Sequence, residues 1–150
     1  MKPASLICTL VAGFAITPAA LADDPIKDVI DNEVPALKDG TRIPVGDVQV
    51  AILDACRKRR FECTVESAGL IVGVWGHRGH EFTVSIPYSD EKYSVRYKDS
   101  KRMDYNAARQ RIDDSYNEYV ASLNEHIEAY LERALKRVKA AQKQAKKAGG

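Results

Sequence analysis

This sequence lacks the short motifs that indicate an enzyme or a cofactor site. The sequence contains no glycine-rich phosphate loop, no G-x-G-x-x-G fingerprint and no C-x-x-C pair. Its serines lie in no nucleophile-elbow context, and its carboxylates are scattered along polar faces where solvation accounts for them. We therefore expect no catalytic residue and no cofactor.

Long apolar runs are also scarce, and the most prominent one stands at the beginning of the chain. Residues 1–22 have a basic start, an apolar run and a small-residue pair, namely Lys2, 6–15, Ala20 and Ala22. This layout predicts a signal peptide that is cleaved before Asp23.

Two other interpretations of this segment fit less well. The apolar run is shorter than the ~20 residues that span a bilayer, and Ile7 before Cys8 is not the small residue that a lipid-attachment site requires. We expect export to the bacterial periplasm, with no transmembrane helix in the remaining chain.

Acidic residues are absent from the end of the chain. Residues 23–135 carry 16 basic and 21 acidic side chains, whereas residues 136–150 carry six basic and no acidic ones. The six are Lys136, Arg137, Lys139, Lys143, Lys146 and Lys147. This basic tail favours an envelope protein or an anionic envelope surface as partner, and export argues against nucleic acid.

Hydrophobic periodicity predicts one α+β domain over residues 47–135. A first helix is expected over 47–59 with Asp47 as N-cap, and a long helix from Asp113. Between them, four alternating segments predict an antiparallel four-stranded meander with both helices packed on one face.

Residues 23–46 are expected to form an irregular lead-in, because proline and glycine interrupt them repeatedly. Pro25, Ile26 and Val29 are compatible with either a short strand or one helical turn.

Several short motifs together resemble one protein family. They are Ile86-Pro87-Tyr88, Tyr93-Ser94-Val95-Arg96-Tyr97, Ser100, Ser115-Tyr116-Asn117 and Tyr119. Over roughly residues 25–130 the chain resembles a group of small exported proteins and lipoproteins of Gram-negative bacteria. The resemblance implies a place in the cell envelope and assigns no catalytic residue.

The chain departs from that family at three points. Arg60-Phe61 stands where members usually have Gly-Trp, and Ile112-Asp113 where many have a histidine before the Tyr-Asn pair. The lipidated N-terminal cysteine of many members is absent.

Two cysteines remain after removal of the signal peptide. Cys56 lies on the apolar face of the first helix, and Cys63 shares a strand face with Phe61 and Val65. An oxidising compartment and facing positions predict a disulfide between them; two buried free thiols are the alternative.

Histidines and tyrosines supply two further candidate sites. His77 and His80 flank the turn Arg78-Gly79 and would pair across a two-residue hairpin, where they offer two ligands to a metal ion. Tyr93, Tyr97, Tyr116 and Tyr119 are expected on inward faces, either as core or as a ligand groove between the sheet and the long helix.

The leading functional hypothesis is a non-enzymatic periplasmic binding protein. The alternatives are a small-ligand carrier that uses the tyrosine groove, and an inhibitor module similar in outline to PepSY domains over residues 47–98.

The exported chain is predicted to begin at Asp23, because Ala20 and Ala22 form the cleavage signal. Intact-mass measurement of protein from a periplasmic extract checks this, and a mass that includes residues 1–22 would contradict it.

Overall fold

The computed structural model describes residues 23–150, so the predicted signal peptide lies outside the described residues. The elements are β1 (Asp23–Pro25), β2 (Val29–Glu33), α1 (Val45–Lys58), β3 (Glu62–Ser67), β4 (Leu70–His77), β5 (His80–Pro87), β6 (Lys92–Lys101), β7 (Arg111–Asp113) and α2 (Asp114–Ala148).

The main sheet has five antiparallel strands in the order β2-β6-β5-β4-β3, and β1 pairs with β7 in a separate two-stranded sheet. The predicted α+β class and the β3–β6 meander are therefore confirmed. The irregular lead-in is a correction, because residues 23–46 contribute β1 and β2. Their partners are 59 or more residues away. A register shift between Val29 and Asn32 also breaks the alternation that reveals a strand.

Both helices begin at capping positions. α1 starts at Val45 after Pro44, two residues before the expected start, and Asp47 lies in its first turn instead of at the N-cap. A carboxylate in the first turn still stabilises the helix, because it lies near the positive end of the helix dipole. α2 is capped by Asp113, whose side chain accepts a hydrogen bond from the Ser115 amide at 2.9 Å.

The core lies between one face of the main sheet and the two helices. α1 contributes Val48, Ala51, Ile52, Ala55 and Cys56, the face that periodicity predicts. α2 contributes Tyr116, Asn117, Val120, Leu123, Ile127, Leu131 and Ala134. Each fully buried aliphatic side chain of this seam contributes about 1.5–3 kcal/mol.

The edge strand β3 departs from the expected burial pattern. Val65, predicted to share an inward face with Cys63, is 40% exposed. Val65 pairs with the buried Ile71 in the same register in which Cys63 pairs with Gly73. It therefore keeps the predicted face, and its exposure reflects the position of β3 at the edge of the sheet.

The buried Asn117 and the half-buried Asp28 attach the N-terminal segment to the domain. The Asn117 amide accepts from the Lys27 amide and donates to the Pro25 carbonyl, both at 2.9 Å. Asp28 accepts from the Tyr97 amide at 2.9 Å and from the Tyr116 hydroxyl at 3.2 Å. These bonds hold β1 and β2 against the main body.

Cys56 and Cys63 form the predicted disulfide, with their Cα atoms 6.1 Å apart. The bond joins the last turn of α1 to β3 directly above Gly73, the residue that faces Cys63 in β4. A Cβ atom at position 73 would lie only 2.8 Å from the Cys63 sulfur. Glycine at this strand position therefore makes room for the bridge.

Within residues 23–150, no helix has both the length and the apolar character required to cross a membrane.

Replacing both cysteines with alanine is expected to lower the free energy of unfolding by about 2–3 kcal/mol, because the bridge closes a short loop in the unfolded chain. Urea denaturation of the oxidised protein and of the double variant measures the difference. Thiol labelling of the unreduced, denatured protein provides the control, and two labels per exported chain would show that the bridge is absent.

Candidate functional site

A cleft of about 560 Å³ opens where the end of α1 meets the end of β4 and the beginning of α2. We call it the arginine cleft; its lining residues are Lys58, Arg59, Arg60, Trp75, Gly76, His77 and Tyr119. Its wall combines cationic and aromatic side chains and includes no carboxylate.

The turn that ends α1 positions the cations. The Arg60 amide donates to the Arg57 carbonyl at 3.2 Å and the Phe61 amide to the Cys56 carbonyl at 2.9 Å, which is the bond pair of a Schellman motif. Its left-handed position usually holds glycine. Here it holds Arg60, with φ of 61°, at a conformational cost of about 1–2 kcal/mol.

The cations of the cleft have no internal counter-charge. Arg57, one residue earlier, pairs with Asp54, whereas Lys58, Arg59 and Arg60 make no ion pair within residues 23–150. The helix dipole favours cations at this end, which accounts for their sign.

Arg59 has one hydrogen-bond donor without a partner among the described residues. This donor is its buried Nε atom. A buried unsatisfied donor costs about 1–3 kcal/mol, and in native proteins a water or an ion commonly accepts such a bond.

The other part of the lining is aromatic. The rings of Trp75 and Tyr119 have centroids 3.9 Å apart, and Trp75 stacks on Phe82 at 5.3 Å. Because Phe82 is fully buried, this stack fixes the aromatic wall against the core. Trp75 is the only tryptophan in the sequence.

A smaller cleft of about 280 Å³ lies beside the first and shares Gly76 and His77 with it. Here the two-residue turn Arg78-Gly79, with φ values of 49° and 83°, sets His77 opposite His80 in the ladder. No group of three potential metal-ligating side chains was found within the described part of the chain.

The four candidate tyrosines are distributed between the core and two separate clefts. Tyr119 lines the arginine cleft, and Tyr93 lines a cleft of about 300 Å³ at the opposite end of β4. Tyr97 and Tyr116 pack edge-to-face at 5.7 Å.

Three of the tyrosine hydroxyls are engaged within the protein. The Tyr93 hydroxyl donates to Asn124 and accepts from Asn32, both at 2.7 Å. Tyr116 donates to Asp28, and the Tyr97 hydroxyl lies 2.9 Å from that of Ser100. These hydroxyls act as internal hydrogen-bonding groups in this structure.

Burial raises the pKa of Tyr93 and Tyr116 well above the ordinary tyrosine value. Loss of solvation is the main cause in both, since the charged phenolate is disfavoured in the core. For Tyr116, the Asp28 carboxylate raises the pKa further.

The basic tail continues α2 to Ala148, and its six cationic side chains are exposed. The helix is docked further along than its apolar stripe predicts, since Gln142 donates to Asp39 at 2.7 Å and to Thr41 at 3.3 Å. The bond from Gln142, followed by that from the Thr41 amide, lowers the pKa of Asp39 to about 2.

Sequence reasoning did not identify the arginine cleft. The run 57–60 is visible in the sequence, where it is explained by the helix dipole, and Trp75 is visible as an inward-facing strand residue. Only the packing of α2 across the end of α1 brings Tyr119 next to these cations and Trp75.

Stability is expected to fall as the pH rises above 10. The unfolded tyrosines ionise near pH 10 while Tyr93 and Tyr116 stay neutral in the fold, so their stabilising contribution is complete below pH 10 and is lost above it. Above pH 10, each of these two tyrosines lowers the free energy of unfolding by about 1.4 kcal/mol per pH unit. Denaturation of wild type and Tyr116→Phe at pH 10–12 should show a shallower slope for the variant.

The control for this experiment is Ile127→Val, which removes a buried methylene at about 1 kcal/mol without removing a titrating group. It should shift stability equally at every pH. Parallel slopes for wild type and Tyr116→Phe would contradict the prediction.

Comparisons with known proteins give the chain no relative: no family model, no curated protein and no solved structure matches it.

Proposed function

We propose that the protein is an exported, non-enzymatic component of the bacterial cell envelope that associates with an anionic lipid surface through its basic tail. The observation that carries this proposal is the arrangement of cations on the last turns of α2.

Five of the six tail cations fall within an arc of about 100° when successive residues turn by about 100° around the helix. They are Lys136, Lys139, Lys143, Lys146 and Lys147. Gln142 and the buried Ala134 lie to one side of this arc. The lysines therefore form an exposed stripe, and Lys146 at its edge lies close enough to Asp39 to lower the pKa of that carboxyl.

The same solvent-facing side of α2 changes sign along its length. Upstream it carries exposed Glu118, Glu125, Glu128 and Glu132, and the lysine stripe follows. A flat anionic surface would attract only the C-terminal part, so the helix has a defined end for such a contact.

The helix dipole provides the competing explanation, since acids near the beginning and bases near the end of a helix stabilise it without any partner. The dipole acts mainly on the last turn, however, while Lys136 and Lys139 lie more than two turns from Ala148.

Placement in the periplasm is supported by the signal-peptide layout of residues 1–22 and by the motif resemblance to exported envelope proteins. Both support the presence of anionic lipid head groups within reach of the tail.

Full-length exported protein is expected to sediment with vesicles that contain phosphatidylglycerol at low salt, and to remain free with neutral vesicles. Each lysine contributes about 1 kcal/mol at best. Changing the five stripe lysines to glutamine should lower the partition coefficient by at least about tenfold, and salt should abolish binding of the wild type.

The matched control changes five exposed cations of the body to glutamine. They are Lys27, Lys38, Arg96, Lys98 and Arg109. It has the same net charge as the tail variant and should retain most of the binding. Equal partitioning of wild type and tail variant would leave the stripe with a helix-stabilising role only.

A further inference from the structure

The arginine cleft combines an aromatic lining with cations that make no ion pair within residues 23–150, and it lies far from the tail. Tyr119 and Lys143 are separated by 24 residues of one helix, or about 36 Å. Binding at the cleft is therefore independent of the proposed surface association.

The three cationic side chains of the cleft favour a ligand with more than one negative charge. Lys58, Arg59 and Arg60 converge on one cleft without an ion pair in the described chain. A phosphate monoester, with close to two negative charges at neutral pH, compensates such a cluster better than a single carboxylate does. Guanidinium groups also match phosphate oxygens in bidentate geometry.

The Schellman turn does not require an arginine at position 60, which is one of six described non-glycine residues with a positive φ. Glycine would satisfy the Schellman turn without strain, whereas Arg60 adopts its φ of 61° at a cost. The buried Nε of Arg59 is a second feature that folding alone does not account for. An oxyanion in the cleft would use the cationic side chains that both residues bring there.

The aromatic part of the lining favours a ligand whose phosphate is attached to a ring. Trp75 and Tyr119 form a fixed pair of rings beside the cations, and a volume of about 560 Å³ suits a small molecule. Because the rings and the cations line the same cleft, a ligand that carries both a ring and a phosphate could contact both.

We propose that the arginine cleft binds a phosphate monoester carried on a sugar ring. The ligand is either a free sugar phosphate or the phosphorylated sugar head group of a lipid, since both present the same chemistry to the cleft.

The single tryptophan makes binding observable, because Trp75 lines this cleft and no other tryptophan contributes to the fluorescence. Glucose 6-phosphate is expected to give a saturable change at millimolar concentration or below, glucose to give none, and inorganic phosphate to bind more weakly. Vesicles displaying phosphorylated glucosamine are tested on protein whose stripe lysines are glutamine. This choice separates the cleft from the tail, so failure of either proposal leaves the other intact.

Three variants test the assignment. Arg59→Gln and Arg60→Gly should each weaken binding by about tenfold or more. Arg60→Gly should also melt at the same or a higher temperature, because it relieves the left-handed strain. Arg57→Gln, which removes the same charge from the neighbouring Asp54-paired position, should bind like the wild type.

Saturable binding of either sugar phosphate, lost in Arg60→Gly and kept in Arg57→Gln, supports the proposal and identifies the soluble or the lipid-borne source. Three results would overturn it: no saturable change with either probe, equal weakening by Arg57→Gln, or inorganic phosphate binding as tightly as glucose 6-phosphate.

Discussion

The packing of a short helix against a long one, over the single apolar face of the sheet, is the constraint on which the rest of this structure depends. α1 has 14 residues and α2 has 35, which correspond to about 21 Å and 52 Å of helix. The buried seam from Tyr116 to Ala134 fixes the two helices against each other and against the sheet. Because α2 is longer than α1, its two ends extend past the ends of α1.

Both candidate surfaces follow from this mismatch. At one end α1 stops in a Schellman turn, and the first turns of α2 bring Tyr119 across it, which forms the arginine cleft. At the other end α2 passes the beginning of α1 as the basic tail, which is hydrogen-bonded through Gln142 to Asp39 and Thr41. The disulfide between Cys56 and Cys63 strengthens the corner beside the cleft.

Polar groups in the core specify the arrangement more than they strengthen it. Asn117 and Asp28 each accept a backbone amide and make a second hydrogen bond, and a buried group of this kind is costly only when a partner is missing. Such paired groups fix where β1 and β2 lie, although neither strand has a strong apolar pattern of its own. The N-terminal segment is consequently part of the fold.

Local periodicity in the sequence determined the two helices, the β3–β6 meander, the His77–His80 hairpin and the facing of Cys56 and Cys63, because these depend on contacts between neighbours. The sequence also determined the composition of the tail. Tertiary structure decided the rest: β2 pairs with β6 across some 60 residues, Gln142 docks on Asp39, and Tyr119 reaches Lys58 to Arg60. Such contacts depend on the relative placement of whole elements, which no local pattern encodes.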